Sequence, residues 1–577
     1  MKLIEALNLS RSGPAPGPTL EVFLACGFTP LHLETYLAAH LRRRCPDRRA
    51  RVHVGLFGDA PGNIELLGAA GREAGAVVLE WADLDPRLGL WQLGGWGPGL
   101  LPDLLATVTG QCRRIRDALA RVAGPRPVAV CLPTLAPAPV SNLPGWQAGT
   151  FTFELEAQRA RLAVELAGLE GVRLVDRDRL DRRSPPGERL DVRAALNSGF
   201  PYRLPHADAL GDLLATLMMP PAPKKGLITD LDDTLWRGIL GDVGADGISW
   251  DLDHHTQLHG LYQQMLKSLA EAGVLIGAAS KNHTSIVDEA FRRHDLALPR
   301  DLVFPLEIHW EPKSSSVRRI LRAWNIGADS VVFVDDSPME LAEVQAAFPE
   351  MECLLFPTHD EQRGYALLEG LRDRFGKEAI TREDRLRRES LRRAAELDTD
   401  LRQDDPAAVD RFLGRMEAEV TLDFARDGAD RRAFELVNKT NQFNLNGGRF
   451  SEGGWREELE RPDGFLLRVS YRDKFGPLGM IAVITGRAEG RTLAVSSWVM
   501  SCRAFSRRIE HQCLRALFER FGAEVIRFEF QETPRNGPLR EFFATLLNAE
   551  PTGEIRVSRP EFEGRVPPLR HTVTTNG

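Results

Sequence analysis

The chain has 577 residues, 43% hydrophobic and 27% charged, with a formal net charge of -7. That length provides for about three or four domains, and the acidic balance argues against nucleic acid as the main partner. Cys26, Cys45, Cys112, Cys131, Cys353, Cys502 and Cys513 show neither a metal spacing nor a paired framework, no apolar stretch approaches the ~20 residues that span a bilayer, and no secretory signal opens the chain, so a cytoplasmic protein with reduced thiols and no membrane is expected.

Through residue 220, LEVFLACGF, VHVGLFG, AVVLEW, PVAVCLP and VRLVD read as buried strands, separated by helical stretches such as LHLETYLAAHLRRR and FTFELEAQRARLAVELAGL. Strands alternating with helices imply a parallel sheet covered on both faces. With the turn GNIE at 62–65, region 1–220 resembles an SGNH-hydrolase-like, three-layer α/β fold. Where that family carries Gly-Asp-Ser, this sequence reads Gly27-Phe28-Thr29, and no Asp-x-x-His lies near the end of the region. The resemblance therefore implies a degenerate domain that docks or shields. His206, in PYRLPHADAL, has no nucleophile to serve and reads as a surface or capping histidine.

MMPPAPKK, at 218–225, disfavours regular structure and marks a boundary. Gly226–Thr229 then reads as a short buried strand whose carboxyl end opens into Asp230-Leu231-Asp232-Asp233-Thr234. In an open α/β sheet that edge is where ligands bind. An aspartate there can attack phosphorus and form an aspartyl phosphate, but an anion approaching an anion needs a cation, for which Mg2+ is suited. Asp232 can then protonate a leaving oxygen and deprotonate an incoming water or hydroxyl. Three later features extend the pattern. VLIGAAS ends a second strand in Ser280, followed by Lys281 and Asn282, which suit a phosphoryl group. Lys313, in WEPKSSS, opens a helix of about three turns through Val317, Ile320, Leu321 and Trp324 and can neutralise charge. SVVFVDDSP ends a third strand in Asp335 and Asp336, candidate metal ligands. Only 50 positions separate Asp230 from Ser280, and one amphipathic helix with Leu258, Leu261, Met265, Leu266 and Leu269 uses most of them. No large cap fits, which leaves the site open to a protein-borne group.

Thr381 to about Arg402 reads as a capped, arginine-rich helix within a linker at 377–412; its arginines are a solvated face or a grip on an acidic carrier protein. From 413, FLLRVSYRD, GMIAVITG and TLAVSSWVMS read as sequential antiparallel strands, SRRIEHQCLRALFERFG as a helix, IRFEFQE as a strand and PLREFFATLLN as a last helix, with Asn536 capping that region and a tail to 577. This pattern resembles the GNAT acyltransferase fold, whose amides after the central strand cradle the pyrophosphate of coenzyme A or pantetheine. The corresponding loop carries Arg503, Phe505, Ser506, Arg507 and Arg508, with serine where the family has glycine. In NKTNQFNLN, the amides of Asn441, Gln442 and Asn444 satisfy either a loop backbone or a polyhydroxylated ligand.

The order Asp-x-Asp-x-Thr, Ser, Lys, Asp-Asp resembles the haloacid dehalogenase (HAD) superfamily. DLDDTLWRGILGDVG, ASKN, WEPKS and VFVDDSP, with LVNKTNQFNLN, YRDKFGPLG and SCRAFSRRIE, are similar to its FkbH-like branch over about 222–550. The resemblance implies an α/β multidomain protein with an SGNH-like domain at 1–220, an uncapped HAD domain at 221–376, the helical linker at 377–412 and an α+β GNAT-like domain at 413–577. It implies an Mg2+-dependent enzyme that removes phosphate from 1,3-bisphosphoglycerate and delivers a glyceryl thioester to an acyl carrier protein in polyketide-type biosynthesis. Its implied catalytic set is Asp230, Asp232, Thr234, Ser280, Lys313 and Cys502, with Lys281, Asn282, Asn441, Gln442, Asn444, Arg503 and Arg507 holding substrate and Asp230, Asp232, Asp335 and Asp336 holding metal. Many members read Cys-Ser-Lys-Asn where this chain has Ala279-Ser280-Lys281-Asn282. Two routes to a thioester stay open: Cys502, beside Arg503, or direct attack by the carrier's own thiol. A plain Mg2+ phosphatase or phosphotransferase and a carrier-binding scaffold are the alternatives.

Overall fold

The computed structural model describes residues 1–11, 17–69, 71–92, 97–124, 126–378, 380, 414, 416–426, 431–440, 443–474, 476–501, 504, 507–533 and 536–576. They gather into two compact units, Met1–Pro221 with Ser451–Gly453, and Ala222–Phe450 with Gly454–Gly577. The expected helix from Thr381 lies outside the described residues. Among the described residues no helix is long and apolar enough to cross a membrane.

In the first unit β1 (Leu20–Ala25), β2 (Ala50–Val54), β3 (Ala74–Val78), β4 (Val128–Cys131) and β5 (Val172–Leu174) form a sheet in the order β2-β1-β3-β4-β5, with every pairing parallel. Successive side chains of a strand point to opposite faces. Val22 and Leu24 accordingly pack with Leu33 and Leu37 of helix Leu31–Arg44 and with Leu210 and Leu214 of helix Leu204–Met218. Phe23 and Ala25 pack on the other face with Val108 and Ile115 of helix Leu101–Val122 and with Leu155 and Leu162 of helix Thr150–Ala167. Both faces are covered, in keeping with the largely apolar runs of the inner strands β1, β3 and β4.

The second unit carries two sheets. β6 (Gly226–Thr229), β7 (Leu275–Ser280), β8 (Val303–Ile308), β9 (Val331–Asp335) and β10 (Glu352–Leu355) are all parallel in the order β10-β9-β6-β7-β8. Between β6 and β7 lie two helical segments, Leu240–Gly247 and Gln257–Glu271. Helix Lys313–Trp324 is seated by its last residue: a Cβ on Gly226 would come within 2.6 Å of the Trp324 ring and one on Gly277 within 2.9 Å. Trp324 Nε1 also donates to the Phe304 carbonyl at 2.8 Å. Two strand glycines therefore let the helix lie close on β6 and β7, with Lys313 at its first turn.

The second sheet comprises β11 (Glu419–Asp423), β12 (Gly464–Asp473), β13 (Gly476–Glu489), β14 (Thr492–Met500), β15 (Val525–Phe528), β16 (Ile555–Ser558) and β17 (Thr572–Asn576), in the order β16-β15-β14-β13-β12-β11-β17. The expected run β12, β13, β14 is antiparallel, whereas β15 joins β14 in parallel. Strands β11, β16 and β17 add to what the sequence pattern indicates. The expected tail is thus partly sheet, with β17 pairing in parallel on β11. The molecule is a mixed α/β protein of several sheets.

Candidate active site

Four loops leave the carboxyl ends of β6, β7, β8 and β9, and the sheet order brings them together. Asp230 follows β6 directly and its N–H donates to the Val334 carbonyl on β9 at 2.9 Å. That pairing places it beside Asp335, the last residue of β9. Asp230, Asp335 and Asp336 each offer an oxygen within 4.8 Å of the others. Lys313 Nζ reaches into this group, donating to Asp230 Oδ1 at 2.6 Å and Asp335 Oδ2 at 2.9 Å, and pairing with Glu340 Oε2 at 3.0 Å. Thr234, fully buried, donates from Oγ1 to Asp336 Oδ1 at 3.5 Å.

The electrostatics follow from crowding. Burial pushes the Asp230 and Asp335 carboxyls above the usual carboxylate range, with Lys313 drawing both back. Burial and the neighbouring Asp335 push Asp336 up to about 6. Burial alone would lower Lys313, yet Asp230, Asp335 and Glu340 hold it above its ordinary value. Three clustered carboxylates against one buried ammonium leave excess negative charge. All the donors are hard oxygens, so the group fits a divalent cation of the magnesium or calcium kind.

Asp232, expected among the metal ligands, stands apart from that group. Its Oδ1 accepts from Trp236 Nε1 at 3.0 Å and its Oδ2 from Asn282 Nδ2 at 2.9 Å. The turn after β6 points this side chain toward the loop following β7, and burial raises its carboxyl above the ordinary value. That position suits a proton carrier better than a ligand. Behind it the turn is pinned: Asp233 takes φ 52°, and its Oδ1 accepts from the Gly238 N–H at 3.0 Å. Thr358 Oγ1 donates to the Asp233 carbonyl at 2.8 Å.

Ser280 ends β7 buried, and Asn282 is likewise buried. Lys281 Nζ pairs with Glu340 Oε1 at 2.7 Å. Glu340 therefore spans the two lysines, a role the sequence reading does not give it. Its signal is its place in the first turn of helix Pro338–Ala347, immediately after the paired aspartates.

Cys502, Arg503, Asn441 and Gln442 lie outside the described residues. Asn444 is buried, with Nδ2 donating to the Thr440 carbonyl at 3.0 Å and Oδ1 accepting from the Gly447 N–H at 2.9 Å. Its amide thus holds its own loop. That loop lies along β14: the Leu445 N–H donates to the Trp498 carbonyl and the Met500 N–H to the Phe443 carbonyl. Arg507 sits 3.8 Å from Asp473 and over the Tyr471 ring at 5.6 Å. Asn536 occupies the N-cap of helix Gly537–Leu547, yet its side chain makes no cap bond. Instead it accepts from the Thr533 N–H at 3.0 Å and donates to the Gln531 carbonyl at 2.9 Å.

The carboxyl edge of the first unit's sheet is built differently. His206, expected at the surface or as a cap, is fully buried between Thr134 Oγ1 at 3.1 Å and Ser184 Oγ at 3.0 Å. Burial lowers it to about 3, so it stays neutral at ordinary pH. Glu80 is enclosed by the Thr134 hydroxyl at 2.6 Å, the Tyr202 hydroxyl at 2.7 Å and the N–H groups of Thr134 and Leu135. Gly27, where the resembling hydrolases begin their nucleophile turn, lies against Asp83, and a Cβ there would meet Asp83 Oδ1 at 1.8 Å.

No family model matches the chain, and no curated protein does so at a significant level. Among solved structures it is similar to the N-terminal part of the Bacteroides fragilis protein BF1531, which contains a phosphatase domain and was crystallised with Mg. The identity is 19% and the TM-score 0.51, over 66% of this chain and 100% of that chain, so the two share a fold. A further match is SsfX3, a salicylyl-acyltransferase from a tetracycline biosynthetic pathway, at 12% identity and a TM-score of 0.21 over 36% of this chain and 54% of that one, too little overlap to define a common fold.

Proposed function

We propose that this chain is an FkbH-like, Mg2+-dependent phosphotransfer enzyme that removes phosphate from a phosphorylated three-carbon acyl donor such as 1,3-bisphosphoglycerate and loads the glyceryl unit onto an acyl carrier protein. The observation that carries the reading is the group Asp230, Asp335 and Asp336 with Lys313 among them. The fold shared with a phosphatase domain that binds Mg supports it.

In this reading Asp230, Asp335 and Asp336 hold the ion, and bound magnesium supplies the positive charge that lets a carboxylate approach an anionic phosphoryl group. Asp230 attacks the ester phosphorus, forming an aspartyl phosphate as the bond to the substrate's alkoxide oxygen breaks. Asp232, kept protonated more readily by burial, gives that oxygen its proton and later takes one from water as the aspartyl phosphate is hydrolysed. Lys313 orients Asp230, and Lys281 with the Ser280 hydroxyl and Asn282 holds the phosphoryl oxygens. The acyl phosphate left at the other end keeps its driving force. A thiol then attacks the acyl carbon, the C–S bond forms and inorganic phosphate leaves, either on Cys502 or on the carrier's phosphopantetheine.

A phosphatase without acyl transfer is the second reading, favoured by Ala279, which is fully buried on β7 where FkbH-like proteins carry cysteine. Incubation with Mg2+, 1,3-bisphosphoglycerate and a holo carrier protein, followed by intact mass measurement, separates the two. A glyceryl mass gain on the carrier supports loading; phosphate release without that gain leaves the phosphatase. Undiminished loading by Cys502→Ala selects direct attack by the carrier.

A further inference from the structure

A cavity of about 200 Å³ opens at the carboxyl edge of the first unit's sheet, on the side of β4 and β5. Helix Thr150–Ala167 contributes Ala160 and Ala163 to it, and helix Arg177–Arg183 contributes Leu180. Leu174, at the end of β5, lines it from the sheet. Small side chains at 160 and 163 leave the space open, where a larger residue would fill it. Apolar cavities at strand carboxyl ends, with a few convergent polar groups, are where parallel sheets bind small molecules.

Two arginines, Arg159 and Arg177, also line it. Arg159 pairs with Glu156 one turn back on its own helix. Arg177 is 40% exposed and spends one N–H of Nη1 on the Pro133 carbonyl at 3.1 Å. Its Nε faces Asp181 Oδ2 at 3.6 Å in a loose ion pair, while Asp181 Oδ1 accepts from the buried Arg189, so the second N–H of Nη1 and both of Nη2 are not engaged by that acid. Arg177 thus keeps N–H donors for a planar anion, a geometry that guanidinium meets in bidentate fashion. Thr134, which also lines the cavity, has its hydroxyl committed to Glu80 and His206.

We infer that this cavity is a binding site for a small monocarboxylate with an apolar body, its carboxylate on Arg177 and its carbon chain against Ala160, Ala163, Leu174 and Leu180. At about 30 Å³ per water-sized group, the space takes roughly six or seven such groups, room for the carbon chain of a six-carbon acid whose carboxylate oxygens lie out at the half-exposed Arg177. The site is distinct from the Asp230 cluster and does not depend on the phosphotransfer reading.

Titration of the full chain with hexanoate, followed by ligand-observed NMR, tests the assignment. Saturable one-to-one binding with a Kd on the order of 0.1–1 mM is expected for so small a ligand, with hexan-1-ol at least about tenfold weaker. Ala163→Phe fills the cavity and is expected to remove saturable binding of both ligands. Arg177→Gln, at a half-exposed position that leaves the fold intact, is expected to weaken hexanoate roughly tenfold while leaving hexan-1-ol unchanged. Absence of saturable binding to the parent chain overturns the site, as does parent-like affinity in a folded Ala163→Phe variant. Equal affinity for acid and alcohol, or an Arg177→Gln variant that binds hexanoate as the parent does, overturns the carboxylate assignment.

Discussion

The two parallel sheets have the same number of strands, and in each the first strand lies inside with neighbours on both sides, yet their carboxyl edges are built in opposite ways. Beyond β6 and β9, carboxylates face one another with a single lysine among them, so charge is concentrated and incompletely matched. Beyond β3 and β4, the buried polar groups are satisfied by neutral partners: Glu80 has four donors and His206 sits between two hydroxyls. A satisfied network stabilises and specifies a core, whereas an unsatisfied cluster of charge stores the potential for chemistry. The fold supplies the edge; the residues placed there decide whether it reacts.

The sharpest way to strain this contrast is to remove the cation from the first kind of edge. Lys313→Met leaves Asp230 and Asp335 facing each other unpaired, and is expected to cost about 3–5 kcal/mol by denaturant unfolding without divalent cation. Phosphate release should fall by about 10²–10³-fold. Added Mg2+ should restore more stability to this variant than it adds to the parent, and a variant as stable as the parent in chelator would show that the cluster is not under strain. A milder change is Glu340→Gln, which loosens both Lys281 and Lys313. Activity should drop roughly tenfold with little loss of stability, as measured by phosphate-release kinetics beside a thermal melt.

The matched edge makes the smallest prediction, a pH tilt. His206 titrates at about 3 folded against 6.5 ordinarily, so the folded protein binds fewer protons than the unfolded chain between these values. Its contribution is complete above pH 6.5 and is lost as pH falls, by about 2 kcal/mol between pH 6.5 and 5. Glu80 and Asp83, raised by burial, tilt stability the other way, so the informative quantity is the difference between parent and His206→Gln. Melts at the two pH values should converge as pH falls; parallel profiles would mean that His206 is not held neutral.

Much of the acidic edge was legible because Asp230 after Gly226–Thr229, Ser280 in β7 and Asp335 in β9 each end an apolar run, and Lys313 opens an amphipathic helix. Spacing along a strand could not reveal which way the Asp232 side chain turns, since the bond from Trp236 Nε1 depends on the folded turn. Glu340 reads as an ordinary acid in a first helical turn until two lysines from other elements converge on it. His206 lacked any local mark of burial, because its hydroxyl partners are 72 and 22 positions away. Strand β17, Thr-Val-Thr-Thr-Asn, is exposed along its whole length and carries no hydrophobic alternation, so only its pairing with β11 identifies it.

Phosphorylation of Asp230 beside a bound divalent cation is the step on which the proposed reaction depends. Phosphate release from 1,3-bisphosphoglycerate should be measured for the parent and for Asp230→Asn, each with Mg2+ and with chelator. Only the parent with Mg2+ should turn over, the other three combinations falling by about 10³-fold or more. Turnover by Asp230→Asn at the parent's rate, or a parent indifferent to chelator, would exclude a cation-assisted phosphorylation of Asp230.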